Sequence, residues 1–385
     1  MVSASAPEPD PLAYAAAPVI DGVRSRFVDT ATGLRLHLLE AGTPGRPVVV
    51  LLHGFPELAY SWRHQLPALA AAGYHVIAPD QRGYGRTTGW DGRYAADLVP
   101  YRQFNLAKDV LALLRALGVA EVAAVVGHDF GSFVAGCCAL MRPDLFRAVA
   151  LMSAPFGGAP RLGAAPPLDV PAALAALDPP RQHYQWYFST PQADRDMHGP
   201  PGGLHAFLRA YYHVKSADWP ANRPHPLAGW SAAALAVLPP YYVMPAGLGM
   251  PAAVAPFAPA ADAAARCAWL PDADLAVYTA EFARTGFQGG LNWYRCITDP
   301  AQMGELQLFD GAAITVPACY IAGAADWGIY QSPGAFERMQ REVCRRMRAV
   351  HLLPGAGHWV QQEQPAPVTA LLLEFLRQAA DDARA

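Results

Sequence analysis

Between residues 24 and 40 apolar and polar positions alternate, with Thr32-Gly33 between two such runs, which predicts a β-hairpin. The alternation then stops. Residues 47–52 (PVVVLL) are continuously apolar and mostly β-branched, as expected of a strand buried on both faces of a parallel sheet. Similar short runs at 75–78, 122–126 and 148–152 predict further strands. Between them lie a helix-compatible stretch, 60–72, and an amphipathic helix, 104–117, with Leu106, Val110, Leu113, Leu114 and Leu117 on one face and Gly118 as its C-cap. Residues 154–299 break this rhythm. They are rich in Pro, Ala, Trp and Tyr, with helical pieces at 202–214 and 272–285 and no β-α repeat. Alternation resumes with a strand at 316–322, a helix at 333–347, a strand at 349–353 and a helix at 367–380. The expected architecture is α/β: a mostly parallel, doubly wound sheet built from residues 1–153 and 300–385, with a mostly helical lid, 154–299, inserted between them. Residues 1–20, rich in Ala and Pro, are expected to form an arm or cover. Ligands bind such sheets beyond the carboxyl ends of the strands, so an insert launched there should lie over the site.

Composition narrows the function more than the fold. The 385 residues are 53% hydrophobic and 16% charged, with net charge −3, which gives no sign of a nucleic-acid or acidic-membrane partner. The basic run from Arg338 to Arg348 has helical spacing and reads as a solvated helix face. Six cysteines lack metal or redox spacing and read as small core residues. The N-terminus has neither a positive start nor a continuous apolar run, which points to a reducing cytoplasm. Residues 227–261 carry no Asp, Glu, Lys, Arg or His, but six prolines rule out a spanning helix. Buried or pocket-lining irregular chain is expected there.

The chemistry is organised around residues 121–136, EVAAVVGHDFGSFVAG. Gly127-His128-Asp129-Phe130-Gly131 has the layout of a nucleophile elbow, the tight strand-to-helix turn that raises one side chain above a sheet. Asp129 stands at its tip. Unlike serine, a carboxylate is already anionic at neutral pH and needs no base before it attacks. Asp326 follows the strand 316–322, and His358 lies in the glycine-flanked loop after 349–353. The chain order nucleophile, acid, histidine is that of a hydrolase triad. Backbone N–H groups of Phe55 and Phe130 would form the oxyanion hole. His53 is expected to brace the Phe55 loop.

VVVLLHGFPE, DQRGYG, VVGHDFGS, Asp326 before Trp327, and GAGHW together resemble the soluble epoxide hydrolases of the α/β-hydrolase fold. The likeness spans residues 23–376 and is looser in the lid. It implies two lid tyrosines that bind the epoxide oxygen: Tyr184 in Tyr184-Gln185-Trp186-Tyr187-Phe188, and Tyr294 in Asn292-Trp293-Tyr294-Arg295. It implies opening of an epoxide to a vicinal diol through an ester on Asp129, with water and a small apolar epoxide as partners and no cofactor. His53, Pro56, Trp186, Phe188, Trp293, Trp327 and Trp359 are expected to line the pocket. Phe130 replaces the family's usual Trp, and Ser132 stands where a third small Gly is common. Two alternatives stay open: a dehalogenase with the same triad, and a non-catalytic ligand-binding protein of this fold. Homo-oligomerisation is also open.

Overall fold

A computed structural model of the chain describes Tyr14, residues 20–163 and residues 168–382. Most of the arm expected over residues 1–20 therefore lies outside the described residues. Tyr14 itself is buried and donates a 2.6 Å hydrogen bond to Asp80.

The hairpin forms as β1 (Val23–Asp29) and β2 (Arg35–Ala41), antiparallel, with Gly33 at positive φ in the turn. Next come β3 (Val48–Leu52), β4 (His75–Pro79), β5 (Ala124–His128) and β6 (Val149–Met152), every residue of them buried. A short ribbon, β7 (Arg181–His183) with β8 (Val243–Pro245), lies in the insert. β9 (Ile314–Gly323) and β10 (Cys344–Leu353) complete the core. Among the described residues eight strands make one sheet in the order β1-β2-β4-β3-β5-β6-β9-β10, parallel from β4 to β10. The continuous apolar runs fall in its middle, covered on both faces, as parallel pairing requires. The carboxyl ends of β3, β5, β6, β9 and β10 thus share one edge, and the insert leaves the core just after β6.

Two expected elements differ. The helix expected over 333–347 shrinks to Ala335–Arg338 and one wide turn, Met339–Val343, and β10 begins at Cys344. Parallel pairing of β10 with β9 wins over helical spacing here. Arg345, Arg346 and Arg348 consequently decorate an edge strand, where charge discourages pairing with another chain, and Arg346 and Arg348 bond Asp382. The stretch 60–72 likewise divides into a 3-10 turn, Ala59–Trp62, and a helix, Gln65–Ala71.

The insert is mostly helical, with its longest pieces at Leu204–Lys215, Asp272–Thr285 and Gln288–Thr298. The uncharged tract forms short helices, Ala232–Leu235 and Met250–Val254, around β8. Among the described residues no helix is long and apolar enough to cross a membrane. Five of the six cysteines are buried and all are free thiols.

Candidate active site

Asp129 sits between β5 and the Phe130–Met141 helix with φ 53° and ψ −119°. A non-glycine residue held there costs of order 1–3 kcal/mol, which the surrounding packing must offset. The flanking glycines explain how the turn closes: a Cβ on Gly127 would collide with the Gly131 carbonyl, and one on Gly131 with the Leu52 carbonyl. The turn lifts the Asp129 carboxylate off the sheet edge. Its Oδ1 accepts a 3.0 Å hydrogen bond from the Phe55 N–H, and its Oδ2 lies 3.4 Å from His358 Nε2. Phe130 is the first residue of the following helix, so its N–H has no intrahelical acceptor and points with the helix dipole. Burial opposes the charge on Asp129, but His358, Lys215 and His128 hold its pKa well below the usual carboxylate range.

His358 is buried in the loop after β10, and Asp326 is buried just past β9. His358 Nδ1 lies 3.1 Å from Asp326 Oδ1 and 2.8 Å from Ser153 Oγ. Ser153 Oγ in turn donates to Asp326 Oδ2. Because a carboxylate only accepts, the imidazole proton belongs on Nδ1, leaving the Nε2 lone pair toward Asp129. Burial opposes charge on Asp326 as well, and His358, Ser153 and the Gly328 N–H outweigh it and lower its pKa.

Two parts of this assembly had no place in the sequence reading. Ser153, at φ 66° directly after β6, bridges the acid and the histidine. Glu57, four residues past His53, accepts from the Gly54 N–H and from the Gln361 and Gln362 side chains, and meets His128 Nδ1 at 2.6 Å. His128 Nε2 reaches the His358 carbonyl at 2.6 Å. Burial disfavours a charged His128, yet Glu57 raises its pKa. The acidic residue ending HGFPE was the available signal for Glu57, whereas Ser153 had none.

Across the cavity stand Tyr184 and Tyr294, their ring centroids 5.7 Å apart. With Asp129, Phe130, Phe133, Gln103, Met303 and Gln331 they line a cavity of about 190 Å³. The Tyr184 hydroxyl donates to Gln331 Oε1 at 2.9 Å and accepts from Gln185 at 3.3 Å. The Tyr294 hydroxyl makes no hydrogen bond among the described residues, and its ring is gripped edge-on by Phe130 (4.6 Å) and Phe188 (4.9 Å). Burial raises the pKa of both phenols, so both stay protonated donors.

The seven residues expected to line the pocket do not line this cavity. His53 spends its ring nitrogens on the Gly54 carbonyl and the Gln81 N–H, bracing the Phe55 loop. The Pro56 carbonyl accepts from Tyr212. Trp293 and Trp359 turn their N–H groups to the Arg82 and Tyr212 carbonyls. Phe188 packs behind both tyrosines, Trp186 against His183, and Trp327 against His225. The uncharged tract also stays outside it, and its Tyr242 ring packs on Tyr184. A larger cavity, about 440 Å³, opens near Arg209, His213, Asp218 and Trp269 and contains none of the triad.

Comparison with known proteins now decides the family. Residues 47–195 match the model of the alpha/beta hydrolase fold. The chain is 39% identical over 369 residues to epoxide hydrolase A of Mycobacterium tuberculosis, covering 91% of this chain and 96% of that one. The chain belongs to the epoxide hydrolase family. Solved structures of epoxide hydrolases overlay on it. That of an enzyme from an endophytic Streptomyces does so with TM-score 0.76 at 36% identity, covering 94% of this chain and 97% of the other. That of potato (Solanum tuberosum) epoxide hydrolase I gives 0.71 at 30% identity, covering 92% and 99%. At that coverage the overlays include most of the insert as well as the sheet core described above.

Proposed function

We propose that this enzyme opens an epoxide to a vicinal diol in two half-reactions. Asp129 attacks a ring carbon while Tyr184 and Tyr294 donate hydrogen bonds to the ring oxygen. The C–O bond breaks onto that oxygen, one phenol passes it a proton, and an ester on Asp129, a substrate hydroxyl and a phenolate result. His358, oriented by Asp326 and Ser153, then removes a proton from water as that water attacks the Asp129 carboxyl carbon. The charge that develops on the carboxyl oxygen is met by the Phe55 and Phe130 N–H groups. Collapse of the tetrahedral species expels the diol oxygen, which takes the proton held on His358, while the remaining carboxyl proton returns to the phenolate and restores Asp129.

One observation carries this reading: Asp129 and the two phenols line the same cavity, and an imidazole nitrogen lies 3.4 Å from the carboxylate. A lipophilic epoxide suits the aromatic walls. Halide displacement finds no comparable support, because Phe55 and Phe130 bring only backbone donors to the nucleophile.

Single turnover in heavy-oxygen water tests the first half-reaction. Label should enter the Asp129 carboxylate, and diol formed in the first turnover should carry unlabelled oxygen. Label appearing first in diol would mean direct attack by water. His358→Gln should accumulate the ester as a mass adduct of enzyme plus epoxide, and its absence would remove the histidine from the second step.

A further inference from the structure

The steps above leave one charged group near Asp129 without work. Lys215 ends the lid helix Leu204–Lys215 and is 4% exposed. Its Nζ lies 5.2 Å from the ring centre of Tyr242, 5.3 Å from Trp359 and 5.4 Å from Tyr211. Among the described residues it has no ion-pair partner. An ammonium taken out of water and given only aromatic faces is costly unless its field is used.

Its backbone is tied to the catalytic loop. The Lys215 carbonyl accepts the His358 N–H at 2.8 Å. Two residues on, Ala217 N–H donates to Glu363 Oε2, which also accepts from Gly357 N–H. A Cβ on Gly357 would run into the Lys215 carbonyl, so glycine permits this close approach. Trp359, one wall of the cage, meets the His358 imidazole edge-on with ring centroids 4.6 Å apart and continues the contact. Burial lowers the Lys215 pKa, while Asp129, Asp326 and Glu57, in that order, pull it back up.

We propose that Lys215 is a positioning residue for ester hydrolysis: a fixed cation that offsets Asp326 once Asp129 has become an uncharged ester. The inference rests on the roles of Asp129 and His358 given above. Before attack, the Lys215 ammonium is attracted by both carboxylates, by Asp129 more strongly than by Asp326. Attack moves one negative charge from Asp129 to the alkoxide and then to the phenol that protonates it at the lid, so beside His358 the charges left are Asp326 with Lys215 and Glu57 with its partner His128. Proton transfer from water to His358 then creates an imidazolium and an oxyanion, with no change in net charge. Without the ammonium, Asp326 alone would hold a proton on His358 and oppose the oxyanion.

Stopped-flow tryptophan fluorescence on Lys215→Met, Lys215→Gln and Lys215→Arg separates the two half-reactions. With both neutral variants, alkylation at pH 7 should stay within about 3-fold of wild type, while ester hydrolysis slows about 10-fold or more and its acid limb moves up by about one pH unit. Lys215→Arg should keep the wild-type limb. Burial pushes Glu363 up to about 8 while its three backbone N–H partners favour the anion, so Glu363→Gln serves as the control for titration within the same loop. Should Lys215→Met fail to melt cooperatively, the Gln and Arg pair carries the comparison. An acid limb unmoved in a folded neutral variant, or moved equally by Arg, overturns the proposal. A wild-type hydrolysis rate with no acid limb at all would instead overturn the role of His358 on which it rests.

Discussion

The two walls of the cavity are built by different means. On the core side Asp129, Asp326 and His358 stand on short turns at the ends of β5, β9 and β10, and backbone geometry aims them. On the lid side Tyr184 and Tyr294 are aimed by other rings: Phe188, Phe55, Phe130 and Tyr242 all pack within 5.5 Å of one or the other. A wall set by backbone tolerates little change and supplies the bond-making groups. A wall set by aromatic packing can be repacked and adjusts the pocket's shape. The difference puts the nucleophile and its relay on the first wall, and the ring-oxygen donors together with selection on the second.

The sharpest test of that division is Asp129→Asn. It keeps the turn, since asparagine accepts positive φ, but should lower turnover by at least about 10⁴-fold with binding retained, checked by single-turnover assay and titration with product diol. If the lid wall alone could activate the epoxide, much of the rate would survive. Next in size are Tyr184→Phe and Tyr294→Phe. Each should slow alkylation by about 10²-fold while leaving ester hydrolysis near wild type, read as separate phases in stopped flow. Tyr294→Phe should cost more, because its hydroxyl is unengaged whereas Tyr184 must first leave Gln331. Ser153→Ala should slow ester hydrolysis by about 10-fold and lower Tm, because the buried Asp326 loses one of its donors.

The uneven legibility of the sequence follows the same division. Asp129 announces itself because its tight turn demands glycine on both sides, and His358 because Gly355 and Gly357 lead into it. Ser153 carries no such mark: a serine after a strand is ordinary, and its role depends on β6 and β9 being neighbours, which only the topology shows. The direction of a tryptophan ring in irregular chain is not written locally either, so Trp293, Trp327 and Trp359 looked like pocket residues and are packing residues. The helix expected to run to 347 stops at Val343 because an edge strand needed the same residues.

The smallest expected effect concerns lid stability. His183 is buried at the start of the Tyr184–Phe188 turn, and burial lowers its pKa to about 3. The unfolded chain takes up that proton below about pH 6.5 and the folded chain does not, so stability should fall as pH drops from about 7 toward 4. His183→Gln should remove part of this slope, measured as Tm at pH 7 and pH 5. An unchanged slope would mean that the lid does not unfold with the core.

The bond from the Lys215 carbonyl to the His358 N–H also bears on how molecules come and go. A roof bolted to the relay it covers cannot swing away between turnovers without disabling that relay. The cavity beside Asp129 is also lined by Phe133, Gln103 and the half-buried Met303, none of which belongs to that relay. Recutting those side chains for bulkier guests therefore leaves the roof and the machinery bolted to it as they are.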